Sequence, residues 1–412
     1  MRKLKLLIIL LLIGINFVST QAVLACGGLF CQNVPVDQAA ERIIFTVDPD
    51  TISAYVQINY TGEAPNFAWV VPVPSVPEVD VAEIDMFNDL QTATDPVFML
   101  PPIPDCMFDD ARDGAGMVFS EAPMAAEAAE DVTVFASGEA GPYAFDVVGT
   151  ETGNTNALID WLNENNYRIT PEMEPLVFVY VQEEMVFLAM KLQPEQGVQD
   201  IQPVKMTYQS SRPMIPIRLT AVAATPNMGI YTWVFGRAQV EPQNYASFQI
   251  TNEEIDLTNF FAGGTNYLQL VASGIDRFGG QAFITEYAQP SAQLQTVDPQ
   301  LRELRQQYPY VTRVYGQMSP EEMTVDPVFD FNNTLPDVSN VRDLTTRTDL
   351  YPCQDGLVGD IQTIFSGNNN GSESSTGFGF STLFVGAGLA TCLILLGAVV
   401  GGGIVLLSRR KA

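Results

Sequence analysis

The chain is predicted to be an α+β protein, β-rich, with mostly antiparallel sheets, a few short helices and a C-terminal transmembrane helix. Three stretches predict this. In Val56-Gln57-Ile58-Asn59-Tyr60 apolar and polar residues alternate with period two, as along a half-buried strand. Between Tyr143 and Leu192 a strand, a helix and a hairpin follow one another, which is an α+β order. From Phe380 to Leu407 no residue is charged, and a bilayer core of about 30 Å is crossed by roughly 20 apolar residues in a helix.

In chain order, residues 1–25 read as a secretory signal. Arg2, Lys3 and Lys5 precede an apolar core, and small residues at Thr20-Gln21-Ala22 and Val23-Leu24-Ala25 offer cleavage positions. A second reading of Val23-Leu24-Ala25-Cys26 is a loose lipoprotein box, with Cys26 as the anchor. Residues 26–362 form the extracytoplasmic β-rich domain, as one body or two lobes. Phe67-Ala68-Trp69-Val70-Val71 is a continuous apolar run, expected to be buried on both faces. Pro72, Pro74 and Pro77 are expected to end its sheet pairing. Residues 109–130 read as a long acidic surface loop.

Tyr143, Phe145 and Val147 alternate along the next strand. Asn154 or Thr155 caps a helix whose Leu158, Trp161 and Leu162 share a face. Pro175 to Val181 and Met185 to Leu192 read as two strands around a Gln182-Glu183-Glu184 turn. Val204 to Phe235 returns to β, and Val204, Tyr208 and Pro213 echo the spacing of Val56, Tyr60 and Pro65. A charged helix is expected from Pro299 to Tyr308 with Asp298 as N-cap. Ser319-Pro320-Glu321-Glu322 reads as a capping box. Residues 363–379 form a polar tether, 380–407 the span and 408–412 a tail. Arg409, Arg410 and Lys411 place that tail in the cytoplasm, so the large domain lies outside a single-pass membrane protein. Within the span Gly397 and Gly401 make a small-xxx-small pair, through which two such helices would meet as a homodimer.

Composition excludes several chemistries. The formal charge is −28, with 20 basic and 48 acidic residues. Such a surface repels phosphate backbones, so nucleic acid is not an expected partner; the lipid bilayer is. There is no histidine, which removes Ser-His-Asp and Cys-His catalysis and every His-ligated metal site. Four cysteines fall in the outer part, Cys26, Cys31, Cys106 and Cys353, and an even number in an oxidising compartment favours two bridges. Three pairings are open. The short loop of Cys26-Gly-Gly-Leu-Phe-Cys31 suggests one bridge there, which leaves Cys106 with Cys353. Asp109, Asp110, Asp113 and Gly114 resemble a calcium loop, but Ala111 and Ser120 occupy positions where an EF-hand needs ligands. No metal and no cofactor is expected.

Several residues invite a functional reading. Trp69 would suit a ligand pocket, but core packing is the favoured account of it. Arg212 and Arg218 stand out in a chain poor in cations and would bind an anion or pair with carboxylates. Glu321, Glu322, Asp326 and Asp330 are a dense carboxylate group, and paired carboxylates serve as acid and base in glycosidases. Helix capping accounts for part of that group.

CGGLFC after the signal, VDQAAERIIF, YTGEAPNFAWVVPVPSVPEVDV, WLNENNYRI, SRPMIPIRLTAVAATPNMGIYTWV and YVTRVYGQMSPEEMTVDPVFDFN carry a resemblance. Over Cys26 to Cys353 the chain resembles the bacterial domain-of-unknown-function family 2330. The resemblance implies a secreted, membrane-anchored bacterial protein and brings no activity, fold or site residues with it. Two function classes follow. One is a non-enzymatic envelope ectodomain that binds or scaffolds something outside the cell. The other is a carboxylate-based extracytoplasmic hydrolase whose acids are unnamed.

Overall fold

In the computed structural model, which describes residues 37–61, 67–102, 132–150, 153–193, 196, 200–259 and 264–351, the alternating segments form sheets. The first strands are β1 (Asp37–Val47), β2 (Thr51–Thr61), β3 (Ala68–Val73), β4 (Glu78–Val81) and β5 (Val97–Met99). They continue with β6 (Thr133–Ala140), β7 (Tyr143–Gly149), β8 (Val186–Leu192) and β9 (Val204–Gln209). The second half adds β10 (Ala224–Gly236), β11 (Val240–Pro242), β12 (Ala246–Phe248), β13 (Leu257–Asn259) and β14 (Gly264–Thr265). It ends with β15 (Ala282–Pro290), β16 (Tyr310–Met318), β17 (Phe329–Phe331) and β18 (Val341–Asp343). The α-helices are α1 (Ile84–Thr94), α2 (Thr155–Glu164), α3 (Glu174–Gln182), α4 (Ile217–Thr220), α5 (Tyr267–Asp276) and α6 (Pro299–Gln307).

Eight strands make the large sheet in the order β12-β15-β16-β10-β1-β2-β9-β4. Its pairs are antiparallel except β1 with β10 and β12 with β15. A second sheet, β3-β8-β7-β6, is antiparallel throughout. Over the described residues the protein is therefore β-rich and mostly antiparallel, with few and short helices, as expected.

Period two in β1 sorts its side chains onto two cores. Ile43, Phe45 and Val47 join Trp69, Val71 and Leu188 of the small sheet in one core. Ile44 points the other way and joins Trp233, Phe235, Met86, Phe87 and Leu90, with Leu301 and Leu304, in another. The large sheet is thus covered on both faces. A third cluster gathers Tyr267, Val271 and Ile275 of α5 with Ala282 and Ile284 of β15.

Central placement alters one expectation. Val56 and Ala54 face the first core, but Tyr55 and Gln57 are buried as well, so β2 is not half-exposed there. Another correction concerns Pro72. It does not end the pairing, because it stands opposite Phe187 inside β3, and Val73 still pairs with Val186. β3 is an edge strand, where a missing N–H costs no ladder bond on the open side. The run is wholly buried, as expected.

The largest correction is Pro175 to Val181, which is helix α3 and not a strand. Val-rich sequence favours a strand, yet the buried residues Met173, Val177, Tyr180 and Val181 recur at helical spacing. Pro175 also sits in the first turn, where a helix tolerates it. The hairpin expected from 175 to 192 is therefore absent, and β8 pairs instead with β7 and β3. The echo segments lie side by side, with Val56 opposite Val204, but β9 leads into α4 rather than into a matching strand.

Caps behave as their chemistry predicts. The Asn154 side chain accepts from Ala157 N at 3.3 Å, and Leu158, Trp161 and Leu162 of α2 are buried. Asp298 accepts from Leu301 N at 2.9 Å and Pro299 opens α6. Ser319 and Glu322 close a capping box around a short 3₁₀ turn, with Glu322 Oε2 accepting from Ser319 N at 2.7 Å.

Candidate functional site

A cavity of about 650 Å³ opens at one end of the large sheet. Local sequence builds each wall. β1 stops at Val47 because Asp48-Pro49-Asp50 turns, with Asp48 N donating to Thr51 O at 3.0 Å. β10 stops at Gly236. A Cβ at Gly236 would run into the Phe331 ring, so glycine alone lets that ring lie against the strand. The Arg237 guanidinium then stacks over the same ring, 4.6 Å from its centroid. From the other side Tyr308, at the end of α6, donates its hydroxyl to Asp48 Oδ2 at 2.8 Å. Burial and the Asp48 carboxylate push Tyr308 up to about 12. Arg212 Nε pairs with Asp330 Oδ2 at 3.0 Å, and Asp330 Oδ1 also accepts from Phe331 N at 2.7 Å.

Charge is distributed unevenly in this cleft. Arg212 and Asp330 neutralise each other. Asp48 and Arg237 do not, although they follow the last paired residues of parallel β1 and β10, Thr46 and Phe235, at the same offset. Among the described residues Arg237 makes no ion pair; Asp48 is held by a phenol and Arg237 by a ring. Gly236→Ala should displace Phe331 and destabilise the chain by about 1–3 kcal/mol, the usual cost of overpacking. Denaturant midpoints unchanged from the parent would show that the ring moves aside freely.

The expected carboxylate group is dispersed. Asp326 is buried and taken by Arg218, whose Nε and Nη2 lie 2.8 and 2.6 Å from Oδ2. Tyr180 donates to Asp326 Oδ1 at 2.9 Å, and the Arg218 guanidinium stacks on the Tyr180 ring at 4.3 Å. Glu183 completes the cluster at 2.6 Å from Arg218 Nη2. Burial raises Asp326 against the pull of Arg218. Glu322 is the cap, Asp330 belongs to Arg212, and Glu321 is exposed. Arg212 and Arg218 thus both pair with carboxylates, the second of the two roles expected of them.

Two buried polar sites gave no sequence signal. Glu41 shares the β1 face of Ile43 and Phe45 and lines a cavity of about 30 Å³ with Trp69, Met206 and Tyr208. That is room for about two water molecules, not for a substrate. Burial pushes Glu41 up to about 7. Its Oε2 and the Trp69 Nε1 have no hydrogen-bond partner among the described residues. Trp69 is thus both core and cavity wall.

On the opposite face Arg313 is buried, with Nε 2.9 Å from Glu286 Oε2 and Nη1 2.6 Å from Asp95 Oδ1. The Arg313–Glu286 contact is not aligned as a hydrogen bond, so it acts chiefly by charge. Tyr267 donates to Glu286 Oε1 at 2.9 Å, and Thr94 Oγ1 takes both Arg313 Nη1 and Trp233 Nε1. Tyr231 and Trp233 flank the guanidinium. Burial raises Glu286, with Arg313 opposing. These bonds fasten α1 and α5 to the sheet.

Cys26, Cys31, Cys106 and Cys353 lie outside the described residues, as do Gly397, Gly401, the signal, loop 109–130, the tether, the span and the tail. Among the described residues no group of three carboxylates or cysteines could hold a metal ion. No described helix is long and apolar enough to cross a membrane, and 380–407 lies outside the described residues. The model of a family described as uncharacterized protein conserved in bacteria (DUF2330) matches residues 20–330. Neither a curated protein nor a solved structure matches the chain.

Proposed function

Since the chain belongs to this bacterial family, DUF2330, we propose that it is a membrane-anchored envelope protein whose outer domain binds a ligand without transforming it. The observation that carries the binding reading is the cleft at the sheet end. Asp330 is paired with Arg212 and Asp48 Oδ2 accepts from Tyr308, so among the described residues the cleft presents no pair of free carboxylates. What it offers to a ligand is a guanidinium on an aromatic ring, Arg237 over Phe331, which is chemistry for recognition. Anchoring rests on the uncharged run 380–407 with its basic flank.

The full-length chain is incubated with cell-wall polysaccharide and sedimented. It should travel with intact polymer, and Arg237→Gln should reduce the bound fraction. Release of soluble sugars would instead favour the carboxylate-based hydrolase.

A further inference from the structure

The cleft carries a charge pattern that narrows its ligand. Among the described residues four charged side chains line it: Asp48, Arg212, Arg237 and Asp330. Arg212 and Asp330 are spent on each other at 3.0 Å. The residual charges are one carboxylate and one guanidinium. They stand at equivalent positions beyond the ends of two neighbouring parallel strands, where a direct pair would be the simplest outcome. The pair is not made. Tyr308 draws Asp48 to one wall, and Phe331, seated on Gly236, draws Arg237 onto another.

We propose that the cleft binds a small zwitterion, a free amino acid or short peptide, with Arg237 taking its carboxylate and Asp48 its ammonium group. A plain anion would meet Asp48 as well as Arg237, inside a chain of net charge −28. A plain cation would meet Arg237. A molecule carrying both charges satisfies both walls, and Pro49, Pro309 and Phe331 supply apolar surface for its body. A planar carboxylate also matches the two-pronged donor edge of a guanidinium whose face is already covered by a ring.

This inference rests on reading the cleft as a ligand site, and the experiment separates the two. The full-length chain is titrated calorimetrically with alanyl-alanine, with its N-acetylated form and with its C-amidated form. Alanyl-alanine should bind, and each blocked form should bind at least tenfold more weakly. Arg237→Gln should bind alanyl-alanine and the amidated form equally, having lost its sensitivity to the carboxylate. Asp48→Asn should likewise treat alanyl-alanine and the acetylated form alike. Both side chains are exposed, so thermal melts of the two variants should match the parent. Equal binding of all three peptides, or none, overturns the zwitterion. If Arg237→Gln still weakens sedimentation with polysaccharide in that case, the cleft remains a binding site for another ligand. If it does not, both readings fall.

Discussion

Arg313→Met should lower stability by about 3–5 kcal/mol, the usual result of leaving a buried charge without its partner. Glu286 is the charge left behind. It is buried beside Arg313 at 2.9 Å, and its only hydrogen bond among the described residues comes from the Tyr267 hydroxyl. Removal of the guanidinium also deprives Asp95 and Thr94 of a donor. Glu286 would answer by holding its proton to higher pH, so the loss should shrink as the solution is acidified. The double variant Arg313→Met/Glu286→Gln removes both charges and should recover much of the loss. Denaturant unfolding of the three proteins measures this, and a single variant within 1 kcal/mol of the parent would show that the pair is not a fastening.

Glu41 should make the protein less stable as pH rises, opposite to an acid held by a cation. Its carboxyl titrates near 7 in the folded chain against an ordinary 4.5. Between those values the folded protein keeps a proton that the unfolded chain has released. Stability from this group is therefore full below 4.5, falls through the interval and is level above 7. The shift corresponds to about 3 kcal/mol at 1.36 kcal/mol per unit. Among the described residues Tyr208 is the only other titratable group lining the cavity, and burial raises it too. Glu286 and Asp326 are raised as well, so the comparison is with Glu41→Gln, in which their contributions remain. The variant should gain on the parent steadily from pH 4.5 to 7. Parallel curves over that interval would place the Glu41 proton elsewhere.

What could be read from the residues was whatever local chemistry decides. Asn154, Asp298 and the Ser319–Glu322 box are side chains satisfying backbone N–H groups within one turn, and they stand where expected. Tyr143 to Gly149 and the apolar run ending in Val71 are strands for the same reason. Pro175 to Val181 misled because β-branched residues and helical spacing point to different structures, and burial against the core decided between them. Nothing in AAERIIF marks Glu41 as buried. Only the small sheet lying over it makes it buried, and that pairing joins distant segments. The cleft was invisible for the same reason: Asp48, Arg237, Tyr308 and Phe331 come from four separate stretches. Of the cleft residues, Arg212 was noticed through the scarcity of cations and Asp330 within the carboxylate group, and the two proved to neutralise each other.

The parallel pairing of β1 with β10 sets a timetable for synthesis. β1 and β2 leave the ribosome together and close as a hairpin, but Ile43 also needs Thr232 on its other side. At ~5–20 residues per second that partner arrives on the order of ten to forty seconds later. During the interval the hairpin is marginal on its own. Ile43, Ile44 and Phe45 then present an apolar, unpaired edge, a template for any other chain nearby. Yield of soluble protein should accordingly depend on how well a chaperone shelters residues 37–61 until Gly236 has emerged.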